Sequence, residues 1–179
     1  MFAIISALDP DSSATVSAIW QKLCQSCGLT AIYEIPTPHF TWLLADNLEI
    51  QKTRKALAEI TAEASTMTLH TFGLGIFTGD QPVLYLPIVK SSKMIALHEK
   101  IWEQIIPLSD DPKMYYSPVL WVPHITLALN DLNQDNLTCA VNAIASEPIE
   151  LFIKVDNLAI AEYQKSKSGK IFDRFLISA

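Results

Sequence analysis

Pro38-His39-Phe40-Thr41-Trp42 and Pro123-His124-Ile125-Thr126-Leu127 decide how this chain reads. Each places a histidine and a hydroxyl residue two apart in a run that otherwise reads as a buried strand. Side chains alternate faces along a strand, so His39 and Thr41 share one face while Phe40 and Trp42 take the other. His124 and Thr126 are related in the same way, opposed by Ile125 and Leu127. A lone histidine at a strand start is ordinarily a satisfied surface or core residue, and threonine on a strand is ordinary propensity. Two copies, in opposite halves of the chain, instead suggest a duplicated unit that offers two imidazoles to one site.

The rest of the chain repeats around these segments. Phe2 to Leu8 is an apolar run, after which Asp9 caps and Pro10 opens a helix that Gly28 stops. His39 to Ala45 is the next strand. A helix from about 48 to 64, capped by Asn47, follows. Thr68 to Phe77 and Val83 to Val89 read as a β-hairpin turning at Thr78-Gly79-Asp80. Ser91 or Ser92 caps a helix with the stripe Ile95, His98, Ile101, Trp102 and Ile105. The segment 107–123, with four prolines and adjacent Tyr115 and Tyr116, reads as an ordered loop. The second half then runs His124 to Leu129, a helix from about 135 to 146, and a hairpin of 149–163 and 171–178 turning through Gln164-Lys165-Ser166-Lys167-Ser168-Gly169. The expected fold is α+β: a duplicated, pseudo-two-fold arrangement of two antiparallel β-sheets forming a central cleft, with helices packed outside. One domain, 1–179, is expected, made of two intertwined lobes with motif-bearing repeats at about 38–90 and 123–178.

Composition narrows the partners. A chain of 179 residues, 50% hydrophobic and 18% charged, is long enough to bury a core. A net charge of −6, with Arg54 and Arg174 as the two arginines, argues against gripping long nucleic acid through its phosphates. Any phosphate-bearing partner should therefore be small. The N-terminus has no basic lead-in or small-residue cleavage site, and no apolar run approaches the roughly 20 residues that span a bilayer. Cys24-Gln25-Ser26-Cys27 ends a helix rather than opening one, where the dipole would lower a thiol pKa. Cys24 and Cys27 are thus expected to be packing residues in a reducing, cytoplasmic setting, and the chain a monomer.

The paired motifs resemble those of the two-histidine (2H) phosphoesterase superfamily, which includes bacterial 2′-5′ RNA ligase-like proteins and cyclic phosphodiesterases. Its hallmark is two H-x-[S/T]-hydrophobic motifs about half a chain apart. Here they stand as His39-Phe40-Thr41-Trp42 and His124-Ile125-Thr126-Leu127, and the opening 2–10 is also similar to the family's first strand and turn. The first motif departs in carrying the bulky Trp42, and the basic residues that accompany the motifs in RNA-processing members have no clear counterpart. The resemblance implies hydrolysis of 2′,3′-cyclic phosphates or related small nucleotide or RNA-end phosphodiesters without metal or cofactor. It leaves a non-catalytic nucleotide or RNA-end binding module, or a 2′-5′ RNA ligase, as alternatives.

The chemistry agrees with the residue types. Opening a cyclic phosphate with water needs a base for the water proton and an acid for the departing ribose oxygen, and histidine serves as either near neutral pH. Which of His39 and His124 plays which part is open from sequence. Thr41 and Thr126 can donate to the non-bridging oxygens. Tyr115 and Tyr116, with Trp121, precede the second motif and could stack on a base. Arg174 and Lys154 could bring charge near the cleft, while His98 reads as packing and His70 is given no role. No Asp, Glu or Cys accompanies either histidine at metal-ligand spacing, and no phosphate-cradling glycine loop occurs.

Overall fold

The structure, a computed structural model, describes residues 1–35, 37–164 and 167–178. Its strands are β1 (Phe2–Ala7), β2 (His39–Leu48), β3 (Met67–His70), β4 (Gly75–Phe77), β5 (Val83–Pro87), β6 (Ser109–Pro112), β7 (His124–Ala128), β8 (Phe152–Val155), β9 (Asn157–Gln164) and β10 (Lys167–Leu176). Four helices, α1 (Pro10–Cys27), α2 (Ile50–Glu63), α3 (Ser92–Ile105) and α4 (Gln134–Ile144), complete an α+β fold with two antiparallel sheets. Local chemistry explains most helix ends. Asp9 Oδ1 accepts from the Ser12 amide at 3.0 Å, and Gly28 closes α1 at φ 71°, a left-handed angle that glycine adopts without a Cβ penalty. Ser91 caps α3 through the Met94 amide at 3.2 Å, and Asn133 and Asn136 cap α4 reciprocally.

The larger sheet has the order β10-β9-β1-β2-β7-β5-β4, with β6 added to the far end of β2; β3 and β8 form the smaller sheet. The two halves of the chain interleave about the β2–β7 junction. Hairpin β4–β5, from the first half, lies beside β7, and hairpin β9–β10, from the second half, reaches β2 through β1. The small sheet takes one strand from each half. A single continuous cluster of buried apolar residues draws on all four helices and both sheets.

Several boundaries differ from the sequence expectation. Asn47 does not cap α2: β2 runs on to Leu48 because β6 pairs with it, Asn47 opposite Asp110, and α2 begins after Glu49. The segment 107–123 is therefore not all loop. The run 68–77 is not one arm of a hairpin, since β3 leaves to pair with β8 and only Gly75–Phe77 turns back on β5. The run 149–163 is divided likewise into β8 and β9. Within the expected second turn, Lys165 and Ser166 lie outside the described residues.

Behind the first motif, Trp42 is fully buried and stacks on Trp121 at 5.3 Å, with His98 lying 3.8 Å from Trp121. The Trp42 indole donates to Ser6 Oγ (2.8 Å), Ser6 donates to the Asn157 carbonyl (2.7 Å), and the Asn157 amide bonds both backbone groups of Ala7. The bulky residue at this motif position is thus fully satisfied. His98 bonds the Trp42 carbonyl at 3.0 Å, and burial pushes its pKa down to about 4. Against an unfolded value of about 6.5, the unfolded chain binds more protons between these limits. Stability should consequently fall as pH drops from about 6.5 to 4, and His98→Gln should flatten that fall in urea unfolding midpoints; an equal fall in both proteins would remove His98 as its source.

Cys27 is not a packing thiol. It is bonded to Cys139 of α4, across a sequence separation of 112 residues, while Cys24 remains free. The expectation of a reducing setting loses the support it drew from unpaired cysteines. The bridge joins α1 and α4, which also pack on each other, and its contribution should be about 2–4 kcal/mol through restriction of the unfolded chain. Reductant should lower the thermal midpoint of the parent but not of Cys27→Ser, and equal sensitivity of the two would show that the bridge does not form.

Candidate functional site

The two motif strands are neighbours. β2 and β7 pair antiparallel with Phe40 directly opposite Ile125, and both side chains are buried on the core face. That register sets His39 across from Thr126 and Thr41 across from His124 on the other face, where all four are half-buried. The histidines therefore lie on the diagonal of the pair, a backbone separation of about 7–8 Å in regular sheet geometry.

Each imidazole is held in the same way. His39 Nδ1 lies 2.8 Å from the Thr37 carbonyl, and His124 Nδ1 lies 2.7 Å from the Val122 carbonyl. A carbonyl only accepts, so Nδ1 carries the proton in both rings and the neutral form leaves Nε2 with its lone pair. Thr37 and Val122 each precede a proline, which biases them to extended backbone, and each proline carbonyl accepts from a neighbouring strand (Leu8 N to Pro38 O, 3.1 Å; Ile88 N to Pro123 O, 2.9 Å). The Pro-His sequence thus anchors the strand entry and presents the upstream carbonyl to the ring. Indole groups secure the threonines: Trp121 Nε1 donates to the Thr41 carbonyl and Trp20 Nε1 to the Thr126 carbonyl, both at 3.0 Å.

The surroundings of the two rings differ. Burial lowers the His39 pKa to about 4, with the hydrogen bond to Thr37 opposing this and His124 adding to it; burial also lowers that of His124. The Tyr163 hydroxyl lies 2.9 Å from His39 Nε2. His124 meets the edge of Phe77 at 4.9 Å and the tilted ring of Tyr85 at 5.1 Å. Both motifs border a cleft with two compartments. One, of about 980 Å³, is lined by His39, Thr41, Tyr163, Glu34, Asp46 and Asn130, among others. The other, of about 440 Å³, is lined by His124, Phe77, Tyr115, Trp121 and Val122, among others. Thr126, Tyr116 and Leu129 line both and mark where the compartments meet.

Of the residues expected at the site, His39, Thr41, His124, Thr126 and Tyr116 come together here, and Tyr115 stands more exposed at the rim of the smaller compartment. Tyr116 lies beside Thr41, and its burial keeps the phenol protonated well above the usual range. Arg174 faces Asp156 instead, and Lys154 pairs in the small sheet opposite Thr68. His70 stacks on Phe152, away from the cleft. Tyr163, Glu34, Asp46 and Asn130 had no sequence signal. Among the described residues no lysine or arginine lines either compartment, and the Asp46 carboxylate is paired with Lys113 at 2.8 Å. Nor, among them, do three His, Cys, Asp or Glu side chains cluster as metal ligands would. Besides imidazoles, hydroxyls and phenols, the larger compartment is bordered by Met1, whose amino group bonds the Tyr163 carbonyl, and by the carboxylates of Glu34 and Asp46.

Gly75 controls the His124 side. A Cβ at this position would come within 2.3 Å of the Tyr85 ring, which itself packs against His124. Gly75→Ala should displace the Tyr85 ring from its contact with His124 and lower any phosphodiester turnover that depends on His124, on the order of tenfold to a hundredfold, with the fold retained by circular dichroism. Unchanged turnover would mean that Tyr85 does not fix the ring.

Among known families, the one described as the 2′-5′ RNA ligase superfamily matches residues 8–167. Among solved structures, TT0787 of Thermus thermophilus superposes with a TM-score of 0.65 at 15% identity, covering 98% of this chain and 97% of that one. Apo LigT of E. coli gives 0.62 at 15% identity over 99% and 97% of the two chains. LigT complexed with 3′-AMP gives 0.58 at 11% identity over 98% and 96%. No curated protein sequence matches the chain. The family match spans nearly the whole fold, both motif strands included: the chain belongs to the 2′-5′ RNA ligase superfamily of two-histidine phosphoesterases.

Proposed function

We propose that this protein hydrolyses 2′,3′-cyclic phosphates, or related small nucleotide or RNA-end phosphodiesters, without a metal, using His39, His124, Thr41 and Thr126. The observation that carries the reading is the antiparallel register that puts both H-x-T pairs on one face beside a single cleft. One neutral imidazole Nε2 takes a proton from water as its oxygen bonds to phosphorus. The ribose oxygen leaves on the opposite side and takes a proton from the other imidazole in its protonated form. The products are a phosphomonoester and a free ribose hydroxyl, and proton exchange with solvent restores the starting states. Thr41 and Thr126 donate to the non-bridging oxygens as charge is held there.

A lining without lysine or arginine among the described residues, and with the carboxylates of Glu34 and Asp46, supports a substrate with a single phosphate rather than a long polyanion, as does the net charge of −6. A LigT structure contains 3′-AMP, a nucleotide of the size the cleft accommodates. Run in reverse, the same two groups would join a hydroxyl to a cyclic phosphate, so ligation shares this machinery.

The test is turnover of 2′,3′-cyclic mononucleotides and of a short RNA with a cyclic end, in chelator. His39→Ala and His124→Ala should each lower kcat by about 10²–10⁴-fold, Thr41→Ala and Thr126→Ala by about 10²-fold, and the parent should give a bell-shaped pH profile. Full activity in both histidine variants would overturn the assignment. Binding without product would leave the non-catalytic module as the better description.

A further inference from the structure

The two imidazoles are held alike at Nδ1 but differ at Nε2. The backbone of Tyr163 pairs with Met1 and that of His39 with Ala7, on opposite sides of β1, and their side chains meet. The phenol reaches His39 Nε2 at 2.9 Å, and the rings lie 6.3 Å apart. Since Nδ1 carries the ring proton, the phenol must donate to the Nε2 lone pair. Burial and the neighbouring Tyr116 keep Tyr163 protonated, and so able to donate. Among the described residues, no hydroxyl or amide is within hydrogen-bond distance of His124 Nε2, whose ring is packed by Phe77 and Tyr85 instead.

We propose that Tyr163 makes the two histidines inequivalent: it holds His39 in the neutral, Nε2-accepting form, designating it the base and His124 the acid. This rests on the phosphoesterase reading above. Before substrate binds, the phenol occupies the lone pair that the reaction needs. When a phosphoryl group enters between the rings, the phenol turns its O–H to a non-bridging oxygen. His39 Nε2 is then free to take the proton of the attacking water. His124, without such a donor, takes up a proton more readily as the anion arrives and delivers it to the leaving oxygen.

The titratable side chains lining the compartment beside His39 and Tyr163 are Tyr116 from the 114–116 turn, Glu34 from the 31–34 turn, and Asp46, which is paired with Lys113, while His124 from β7 acts on His39 through its charge. The Met1 amino group bonds the Tyr163 carbonyl at 3.2 Å. Within this set Tyr163 alone donates to the His39 lone pair.

Nitrogen NMR of the imidazoles in the substrate-free protein tests the contact without any need for activity. Tyr163→Phe removes a bond made to neutral His39, so the His39 pKa should rise and its Nε2 resonance should shift, while His124 titrates as before. In the parent, inorganic phosphate should shift the same His39 resonance as the phenol is drawn away, a measurement that does not depend on the variant folding. With a cyclic mononucleotide, Tyr163→Phe should lose about tenfold in kcat, the worth of one hydrogen bond, and its acidic limb should move to higher pH. With a nucleoside p-nitrophenyl phosphodiester, whose leaving group needs no acid, His124→Ala should recover most of its loss and His39→Ala should not. An unchanged His39 titration and rate in Tyr163→Phe, or recovery by His39→Ala instead, overturns the role of Tyr163 while leaving the phosphoesterase reading intact. A parent that turns over no phosphodiester overturns that reading, and the base assignment with it, whatever the resonances do.

Discussion

One antiparallel contact, Phe40 against Ile125, governs the rest of this structure. Strand side chains alternate with a period of two, so a slip of one residue would drive His39, Thr41, His124 and Thr126 into the core and expose their apolar neighbours. Burial of Phe40 and Ile125 holds the register, and the register gathers four reactive side chains from distant parts of the chain onto one face. The strands pair directly at this one position. Beyond it, Trp121 and Trp20 supply indole donors to the carbonyls of the two threonines, which steadies the strands where ladder bonds do not.

The exchange of hairpins between the halves has a mechanical consequence. The His39 compartment is walled by β9 from the second half, and the His124 compartment by β4 and β5 from the first. Each histidine thus has wall residues from the opposite half of the chain. The walls also make the symmetric motifs chemically different: a polar side with a phenol on the imidazole, and an apolar side with aromatic rings around it. Two like motifs thus carry two unlike imidazoles, which is what the proposed acid–base chemistry would need.

In the proposed reaction the described lining offers a phosphoryl group no lysine or arginine. Neutral hydrogen-bond donors that are already oriented stabilise a phosphoryl group at little reorganisation cost, and burial strengthens each bond. The same burial lowers both histidine pKa values, so the proposed reaction would need an entering anion to restore the proton to the acid.

Sequence alone determined what depends on neighbours along the chain. The caps at Asp9 and Ser91, the stop at Gly28, and the common face of each His–Thr pair are local, and all were readable from residue type and spacing. Partner choice was not. That Met67–His70 leaves its apparent hairpin for β8, that β6 prolongs β2 past Asn47, and that Cys27 finds Cys139 each depend on packing between segments far apart in sequence. Tyr163 is the clearest case: a tyrosine near a strand end carries no local signal, and only the pairing of β9 and β2 on either side of β1 brings it to His39. Periodicity and capping act over a few residues and survive in the one-dimensional text, whereas contacts between strands distant in sequence depend on the assembly of the whole sheet.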